Sequence, residues 1–390
     1  MRVLHVAATL SAEAGGPPAT VRGTTMALAA RGIRCDIATT TGGRFRQPSL
    51  PVPGLTVHAF EGSWLSSAWN AHSASLADFV GRRLPEFDLV HVHEPWHYPG
   101  FVATRGALSR RIPYLLSLHG ALAPLALAQK AARKWLYMKT IQRPILQSAA
   151  ALHALTNVEA SHIERLGLPT PVVVIPNGVS VDIAQWVDRA DTSTFLQRFP
   201  ALSGKRVVLF LGRLARQKGL TLLARSFAHV AREFDDAALL VVGPNEGDTQ
   251  AKAADELASA GLTDRVTFTG ALDGQDKLCA LACAQVFVLP SSSEGFSNAA
   301  LEALAAGLPV VLSDHCNFPE VAEWGAGSVV RNDVAEIAAA ICDLLQDDGR
   351  RQAAGRNGRR MVEERYSWPK IAGAFAALYE SVVVSGQAAG

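Results

Sequence analysis

The chain has 390 residues, of which 49% are hydrophobic, enough for two or three domains of about 150 residues with buried cores. This composition excludes a disordered or fibrous protein, and the net charge of +2 gives no indication of nucleic-acid binding. Five scattered cysteines form no C-x-x-C pair, which favours a reducing compartment: Cys35, Cys279, Cys283, Cys316 and Cys342.

Short apolar runs alternate with longer helical patterns along the chain, as is typical of βαβ units in parallel sheets. The N-terminal run is short and interrupted by His5, so it predicts a first strand and not a signal peptide. No run approaches the roughly 18 apolar residues of a membrane-spanning helix. The first half predicts seven strands, at 3–8, 35–40, 56–60, 88–93, 114–119, 151–156 and 172–176.

The second half repeats this pattern, with strands predicted at 206–212, 238–243, 266–270, 285–290 and 308–314. Between the halves, residues 176–206 lack strand periodicity, and the turn residues Pro176, Asn177 and Gly178 place a domain boundary near 178. We therefore predict an α/β protein with two facing Rossmann-like domains, 1–178 and 179–365. Residues 366–390 are expected to form a terminal helix and a frayed tail.

Two glutamates lie around the start of a predicted helix in the second half. Glu294 is in the polar loop after strand 285–290, and Glu302 follows eight residues later in the helix. Both can reach one ligand at the helix N-terminus, where unpaired N–H groups and the helix dipole favour a phosphate. The amides available there are those of Gly295, Phe296, Ser297 and Asn298. Taken alone, such a glutamate pair is more often an ordinary surface feature.

The loop after strand 206–212 carries Arg213 and Lys218. A planar guanidinium and a mobile ammonium group together can hold a diphosphate, although a basic pair is also typical of a solvated loop. The chain has no Asp-x-Asp motif, which would be expected if a divalent cation carried the diphosphate. We therefore expect neither a metal nor another cofactor.

Together, GRLARQKGL at 212–220 and SSSEGFSNAALEALAAGLPVV at 291–311 resemble the paired signature of the family-four retaining nucleotide-sugar glycosyltransferases. The similarity extends over the chain, to the Gly-Gly pair at 15–16, LHG at 118–120, AALHALTNVEA at 150–160 and VIPNGV at 174–179. It implies the GT-B fold, in which two Rossmann-like domains face each other and a terminal helix returns to the first. The similarity is strongest to bacterial exopolysaccharide and lipopolysaccharide enzymes.

The resemblance also implies roles for the candidate residues. Arg213 and Lys218 would bind the donor diphosphate, and Glu294 would contact hydroxyls of the transferred sugar. Glu302 would hold the ribose hydroxyls, while Gly16 would let the first-domain loop approach the donor. His119 would contact the donor sugar near the reacting carbon, although on its own it is equally compatible with a structural histidine. The family often has Gly and Pro where this chain has Ser297 and Ala299.

Retention by a same-face route is a further implication, in which the leaving phosphate helps to deprotonate the acceptor hydroxyl. Arg213, Lys218 and the helix dipole would stabilise the leaving group, and His119 and Glu294 complete the candidate catalytic set. A covalent role for Glu294 stays open but is less favoured.

Residues 93–97, HEPWH, match the zinc-binding pattern H-E-x-x-H, which requires a continuous helix. Pro95 and the strand predicted before it argue against that helix. We predict instead that this loop recognises the acceptor, through His93, Glu94, Trp96 and His97.

Residues 95–158 contain no acidic residue and eight basic ones. Within them, Lys130, Arg133, Lys134 and Trp135 favour docking on an anionic membrane surface and capture of a lipid-linked acceptor. A solvated helix with Trp135 and Met138 in the core is equally compatible with the pattern.

The sequence thus predicts a cytoplasmic or peripheral inner-membrane glycosyltransferase that uses a nucleoside diphosphate sugar and a glycan or lipid-linked acceptor. Two alternatives stay open: a nucleotide-sugar epimerase of the same fold and a non-catalytic sugar-binding protein. A nicotinamide dehydrogenase is disfavoured because no G-x-G-x-x-G follows the first strand. The nucleobase of the donor is expected near residues 243–248 and 270–273, and the sequence does not distinguish UDP from GDP donors.

Overall fold

The computed structural model describes residues 1–11, 15–41, 52, 54–67, 69–124, 127 and 131–388. It consists of two compact α/β units. The first is formed by the chain up to Gly178 and again from Trp368, and the second spans Val179–Ser367.

The first unit contains a parallel sheet of seven strands in the order β3-β2-β1-β4-β5-β6-β7. The strands are β1 (Arg2–Ala7), β2 (Arg34–Thr41), β3 (Thr56–Glu61), β4 (Leu89–His93), β5 (Tyr114–Ser117), β6 (Ala151–Ala154) and β7 (Val172–Val174). The connections contain α1 (Gly16–Ala30), α2 (Ala74–Arg83), α3 (Tyr98–Ser109), α4 (Ala131–Tyr137), α5 (Arg143–Gln147) and α6 (Asn157–Glu164).

The second unit contains a parallel sheet of six strands in the order β10-β9-β8-β11-β12-β13. The strands are β8 (Arg206–Leu211), β9 (Ala237–Val242), β10 (Val266–Gly270), β11 (Ala284–Leu289), β12 (Val310–Ser313) and β13 (Gly327–Val330). The helices are α7 (Ile183–Asp188), α8 (Ser193–Arg198), α9 (Leu220–Glu233), α10 (Thr249–Ser259), α11 (Gly274–Cys283), α12 (Asn298–Ala306), α13 (Glu320–Glu323), α14 (Val334–Gln346) and α15 (Asp348–Met361).

The last helix, α16 (Trp368–Ala388), belongs to the first unit and packs against α1. Its apolar residues Ile371, Phe375 and Tyr379 are buried with Val3 and Leu115 of the sheet. The predicted α/β class with two parallel sheets and a returning terminal helix is therefore confirmed. No helix in the described part of the chain combines the length and apolar character that a membrane crossing requires.

Each predicted strand overlaps one in the structure, but β13 was not predicted. It has only four residues and begins at Gly327, whose φ of +159° and lack of a side chain allow close approach to Val310. A strand of four residues is too short to show the alternating pattern that identifies strands in a sequence.

One face of the first sheet carries histidines where apolar residues would be expected. His5 on β1 pairs in register with His91 on β4, and His93 pairs with Ser117 on β5, which in turn pairs with His153 on β6. Because side chains alternate along a strand, all five point to the same face, which α16 covers. Burial lowers the pKa of His5 and His153 to about 3 and holds the pKa of His91 and His93 well below the usual value.

We expect the first unit to lose stability in mild acid before the second. Between the unfolded histidine pKa of 6.5 and the folded value of about 3, the unfolded state binds more protons. The free energy of unfolding therefore has its full value above pH 6.5 and falls as the pH is lowered through this window. Native-state hydrogen exchange at about pH 7.5 and about pH 5 should show protection lost in β4 and β5.

The second unit provides the control because its two histidines, His229 and His315, are both exposed. After correction for intrinsic exchange rates, β8 and β9 should keep their protection at both pH values. Equal loss in the two units would contradict the assignment to buried imidazoles.

Candidate functional site

Both sheets have a topological switch point, where the chain reverses the direction in which strands are added. It lies between β1 and β4 in the first unit and between β8 and β11 in the second. In open parallel sheets, ligands bind beyond the carboxyl ends of the strands at such points. A ligand site is therefore expected at the loops after these four strands.

In the second unit, the loops after β8 and β11 are bonded directly to each other. Ser292 N donates to Gln217 O at 2.7 Å, and Ser291 Oγ lies 2.8 Å from the same carbonyl oxygen. Gly219 has a φ of +76°, and a Cβ atom there would lie 1.9 Å from Pro290 O. Only glycine allows the chain to turn this close to the neighbouring loop.

Lys218 and Glu294 meet across these two loops. Lys218 Nζ donates to Glu294 Oε1, and Ser291 Oγ lies 2.9 Å from the same carboxylate oxygen. The main chain of Glu294 is also held, because Asn317 Nδ2 donates to its carbonyl at 2.7 Å and its N–H donates to His315 O at 3.1 Å. The Glu294 side chain is only 9% exposed and that of Lys218 18%, so the pair is rigid and partly dehydrated.

The second predicted glutamate, Glu302, lies on α12 and pairs with a lysine that sequence reasoning missed. Lys277 Nζ on α11 lies 2.8 Å from Glu302 Oε1. The start of α12 is well formed: Ser297 is the N-cap, and its hydroxyl accepts from Ala300 N at 3.2 Å. The Phe296 ring lies 4.9 Å from that of Phe318, which anchors the loop before the helix.

Arg213 is placed differently from Lys218. Its Nη1 lies 2.5 Å from Glu246 Oε2 in the loop after β9, and both side chains are substantially exposed. Lys218 is instead paired with Glu294 in the loop after β11. The predicted diphosphate pair therefore lies in one loop, but its two charges have separate acidic partners.

In the first unit, two bulky residues adopt left-handed backbone conformations at the carboxyl edge of the sheet. Glu94, with φ of +67°, directly follows β4, and His119, with φ of +49°, lies just beyond β5. This conformation is uncommon and costly for such residues, and it concentrates at functional sites. In the second unit, Asn317, which holds Glu294, also has a positive φ, of +53°.

The turn that contains His119 is held by a buried carboxylate that was not predicted. Gly120 N donates to Glu159 Oε1 at 2.5 Å, and Leu155 N donates to Glu159 Oε2 at 2.7 Å. Burial raises the pKa of Glu159, although these two backbone hydrogen bonds oppose the shift. The sequence did contain a signal, since Thr156 and Glu159 have the spacing of a helix capping box.

The HEPWH segment forms a loop and not a helix, because β4 ends at His93 and α3 begins at Tyr98. Glu94 Oε2 lies 3.4 Å from His97 Nδ1, and both side chains are partly exposed. Burial would raise the pKa of Glu94, but the nearby imidazoles of His97 and His119 outweigh it and lower that pKa. Trp96 Nε1 donates to Ala121 O at 3.2 Å.

His93 corrects one sequence-based expectation. Its side chain is only 3% exposed, and its two ring nitrogens bond to His5 and His119. It lies beneath the surface, so its side chain does not contact an acceptor directly. Glu94, Trp96 and His97 keep partly accessible side chains.

The glycine pair near the start of the chain precedes α1. Gly15 is the N-cap with φ of +83°, and Gly16 is the first helical residue. Pro17 and Pro18 follow and have no N–H, so this helix start has fewer donors for an anion than the start of α12.

The predicted membrane-docking residues are only partly covered by the structure. Lys130 and the Arg133 side chain lie outside the described residues. Trp135 is 61% exposed and its neighbour Leu136 58%, so the expectation that Trp135 lies in the core is wrong. Met138 does pack against the core of the first unit. Lys139 Nζ lies 4.8 Å from the Trp135 ring, which places a positive charge beside the exposed indole.

Two protein families match separate parts of the chain. Residues 15–178 match the glycosyl transferase 4-like domain, and residues 191–361 match glycosyl transferases group 1. The first match lies within the first unit and the second within the second unit.

Whole-chain comparisons agree with these matches. The chain is 31% identical over 308 residues to a phosphatidyl-myo-inositol mannosyltransferase of Mycobacterium leprae, spanning 77% of this chain and 75% of that protein. It is 30% identical over 393 residues to a D-inositol 3-phosphate glycosyltransferase of Segniliparus rotundus, spanning 96% and 86%. The structure of Anabaena HepE in complex with UDP and glucose superimposes with a TM-score of 0.77, at 19% identity over 98% of this chain and 100% of that one.

The solved structure establishes the likeness of fold, and the two relatives establish descent. Each relative is at least 30% identical to this chain over at least 75% of both proteins, which places this chain in the same family. The chain belongs to the family-four glycosyltransferases of the GT-B fold.

Proposed function

We propose that this glycosyltransferase moves a sugar from a nucleoside diphosphate donor to a glycan or lipid-linked acceptor, with retention of configuration and without a metal. Its place would be in bacterial surface polysaccharide synthesis. The observation that supports this most directly is the Lys218–Glu294 pair, held at the switch point immediately before the N-terminus of α12. A cation, a carboxylate and a helix N-terminus together suit a sugar diphosphate.

In the proposed reaction, the bond between the sugar C1 and the donor phosphate oxygen breaks, and its electron pair stays on the diphosphate. The acceptor oxygen bonds to C1 on the same face, and its proton passes to the leaving diphosphate. Negative charge therefore grows on the leaving group, where Lys218, Arg213 and the α12 dipole stabilise it. The Arg213–Glu246 pair is exposed, and such pairs contribute about 0–1 kcal/mol, so Arg213 can change partner at little cost.

Two observations bear on the acceptor. The relatives from Mycobacterium leprae and Segniliparus rotundus are named for phosphatidyl-myo-inositol and D-inositol 3-phosphate. Residues 95–158 carry eight basic and no acidic residues, which suits a phosphorylated acceptor. An inositol phosphate or its lipid is therefore a specific candidate within the proposed class of glycan or lipid-linked acceptors.

The donor prediction concerns nucleotide binding without metal. UDP, GDP, dTDP and their sugars are compared by thermal shift in EDTA, where a ligand at 100 times its Kd adds about 2.7 kcal/mol of stability. The nucleotides that carry one of these nucleobases should raise the melting temperature of the wild-type protein. Glu302→Ala should remove most of that shift. The matched control is Glu256→Ala, which breaks the exposed pair with Arg225 in the same unit. No response to any base, even with Mg²⁺ added, would contradict the donor site.

The catalytic prediction concerns the Lys218–Glu294 pair. Glu294→Gln keeps the shape but removes the charge, and we expect kcat to fall about 100-fold because one preorganised electrostatic contact is lost. Lys218→Ala should lower kcat and also weaken donor binding. Turnover and the anomeric configuration of the product are followed by proton NMR. Full activity in Glu294→Gln would disprove the catalytic role of Glu294. A product with inverted anomeric configuration would disprove retention. Conversion of the donor in the absence of an acceptor would indicate an epimerase.

The membrane prediction uses the exposed indole of Trp135. Lys134→Ser combined with Trp135→Ser should reduce flotation with phosphatidylglycerol vesicles in low salt, because an aromatic anchor and a basic charge are removed together. Trp64→Ser is the control, since Trp64 is 85% exposed in the same unit but lies outside this segment. Equal flotation of wild type and the double variant would favour a solvated helix.

A further inference from the structure

Seven side chains and one carbonyl group on the α16-facing side of the first sheet form two separate hydrogen-bonded rows. One row joins Tyr379, His91, Ser117, His153 and the carbonyl of Ile175. The other joins His5, His93 and His119. A neutral imidazole has one donor nitrogen and one acceptor nitrogen, so each bond in a row constrains the next.

The first row has a direction that its far end determines. Ile175 O can only accept, at 2.7 Å, so His153 carries its hydrogen on Nε2 and accepts at Nδ1. Ser117 then donates to His153 Nδ1 at 2.6 Å and accepts from His91 Nε2 at 2.6 Å. Tyr379 OH donates to His91 Nδ1 at 2.6 Å. Every polar atom in this row is satisfied.

The second row also has a preferred direction, which its buried end determines. His5 Nε2 is buried and has no hydrogen-bond partner among the residues that the structure describes. Buried N–H groups without partners are rarer than acceptors left unpaired, so the hydrogen of His5 lies on Nδ1. His5 Nδ1 then donates to His93 Nε2 at 3.1 Å, and His93 Nδ1 donates to His119 Nε2 at 3.2 Å. His119 must carry its own hydrogen on Nδ1.

We propose that His5 and His93 are positioning residues that hold His119 as a neutral Nδ1–H imidazole, so that it offers a hydrogen-bond donor to an oxygen of the bound sugar nucleotide. The tautomer follows from the row alone, whereas the identity of the ligand rests on the proposed function. His119 is partly exposed, and its Nδ1 makes no hydrogen bond within the described residues. Its Nε2 is occupied and does not act as a base.

Two further features support a fixed His119. Burial lowers the pKa of His119 although nearby Glu94 opposes the shift, so the ring stays neutral near pH 7. The main chain is fixed separately, because Gly120 N bonds to buried Glu159 while His119 and Gly120 both have positive φ. Side chain and backbone are thus held by different partners.

A metal ion is the competing explanation, because nitrogen atoms of His5, His91 and His93 lie within 4.8 Å of one another. The rings of His91 and His93 are stacked, with centroids 4.3 Å apart and planes at 28°. A metal bound by an imidazole lies in the plane of the ring, and stacked rings do not direct their lone pairs to one point. Both nitrogens of His91 are also occupied, by Tyr379 and Ser117.

The direct test is long-range nitrogen-15 NMR on protein labelled at histidine, which distinguishes the two neutral tautomers. Histidine free in water favours the Nε2–H form, so an Nδ1–H signal for His119 is diagnostic. We expect Nδ1–H for His5, His93 and His119, and Nε2–H for His91 and His153. An Nε2–H signal for His119 in the wild type, or a tightly bound stoichiometric metal lost with His5→Ala, would overturn the proposal.

Variants then test whether the row acts through His119. His93→Asn keeps an N–H at the position of Nδ1 and should keep the His119 tautomer, whereas His93→Leu should return it to Nε2–H. His93→Leu should lower kcat about tenfold, as expected for one lost hydrogen bond, with an unchanged acceptor KM. His153→Leu is the matched control, because it removes a buried histidine from the other row and should leave the His119 tautomer unchanged.

The outcomes separate the two proposals. An unchanged tautomer in folded His93→Leu, or unchanged kcat with an altered tautomer, would overturn the positioning role. If the wild type transfers no sugar, the proposed function fails, and the NMR spectrum of the wild type still decides the tautomer.

Discussion

Parallel strand pairing is the constraint on which the candidate sites depend. In both sheets every paired strand runs in the same direction, so all carboxyl ends lie on one edge. Loops that are far apart in the sequence are thereby brought together, and Lys218 and Glu294 meet although 76 positions separate them. The close approach at Gly219 and the bonds to Gln217 then turn proximity into a defined geometry. A charged pair held in this way needs little reorganisation when a ligand arrives.

The same topology imposes a second demand, because a parallel sheet is covered on both faces. Any polar side chain on an inner face must find a partner without water. In the first unit, α16 meets that demand for His91 through the hydroxyl of Tyr379. The terminal helix therefore contributes a hydrogen-bond donor as well as apolar area. This explains why a segment that returns from the end of the chain belongs chemically to the first unit.

Sequence reasoning identified the fold class and the family because both depend on patterns that are local in the chain. Alternating apolar runs predicted the strands, and only β13, with four residues, was too short to be identified. Partners across the fold were not accessible in this way: Lys277 and Glu246 are ordinary charged residues until the tertiary structure brings them to Glu302 and Arg213. The error at His93 has a different origin: His93 is the last residue of β4 and not part of the loop, so its side chain points to the same covered face of the sheet as that of His91.

The two units use different kinds of polar group, and the difference has a physical reason. The second unit presents ammonium, guanidinium and carboxylate groups, which suit a charged sugar diphosphate. The first unit presents His119 from a row of buried imidazoles whose lowered pKa values keep them neutral. A neutral N–H suits a sugar hydroxyl, which has no charge to match, and its strength does not change with pH near neutrality. Burial of the row thus makes a residue that normally titrates near neutrality into a constant hydrogen-bond donor.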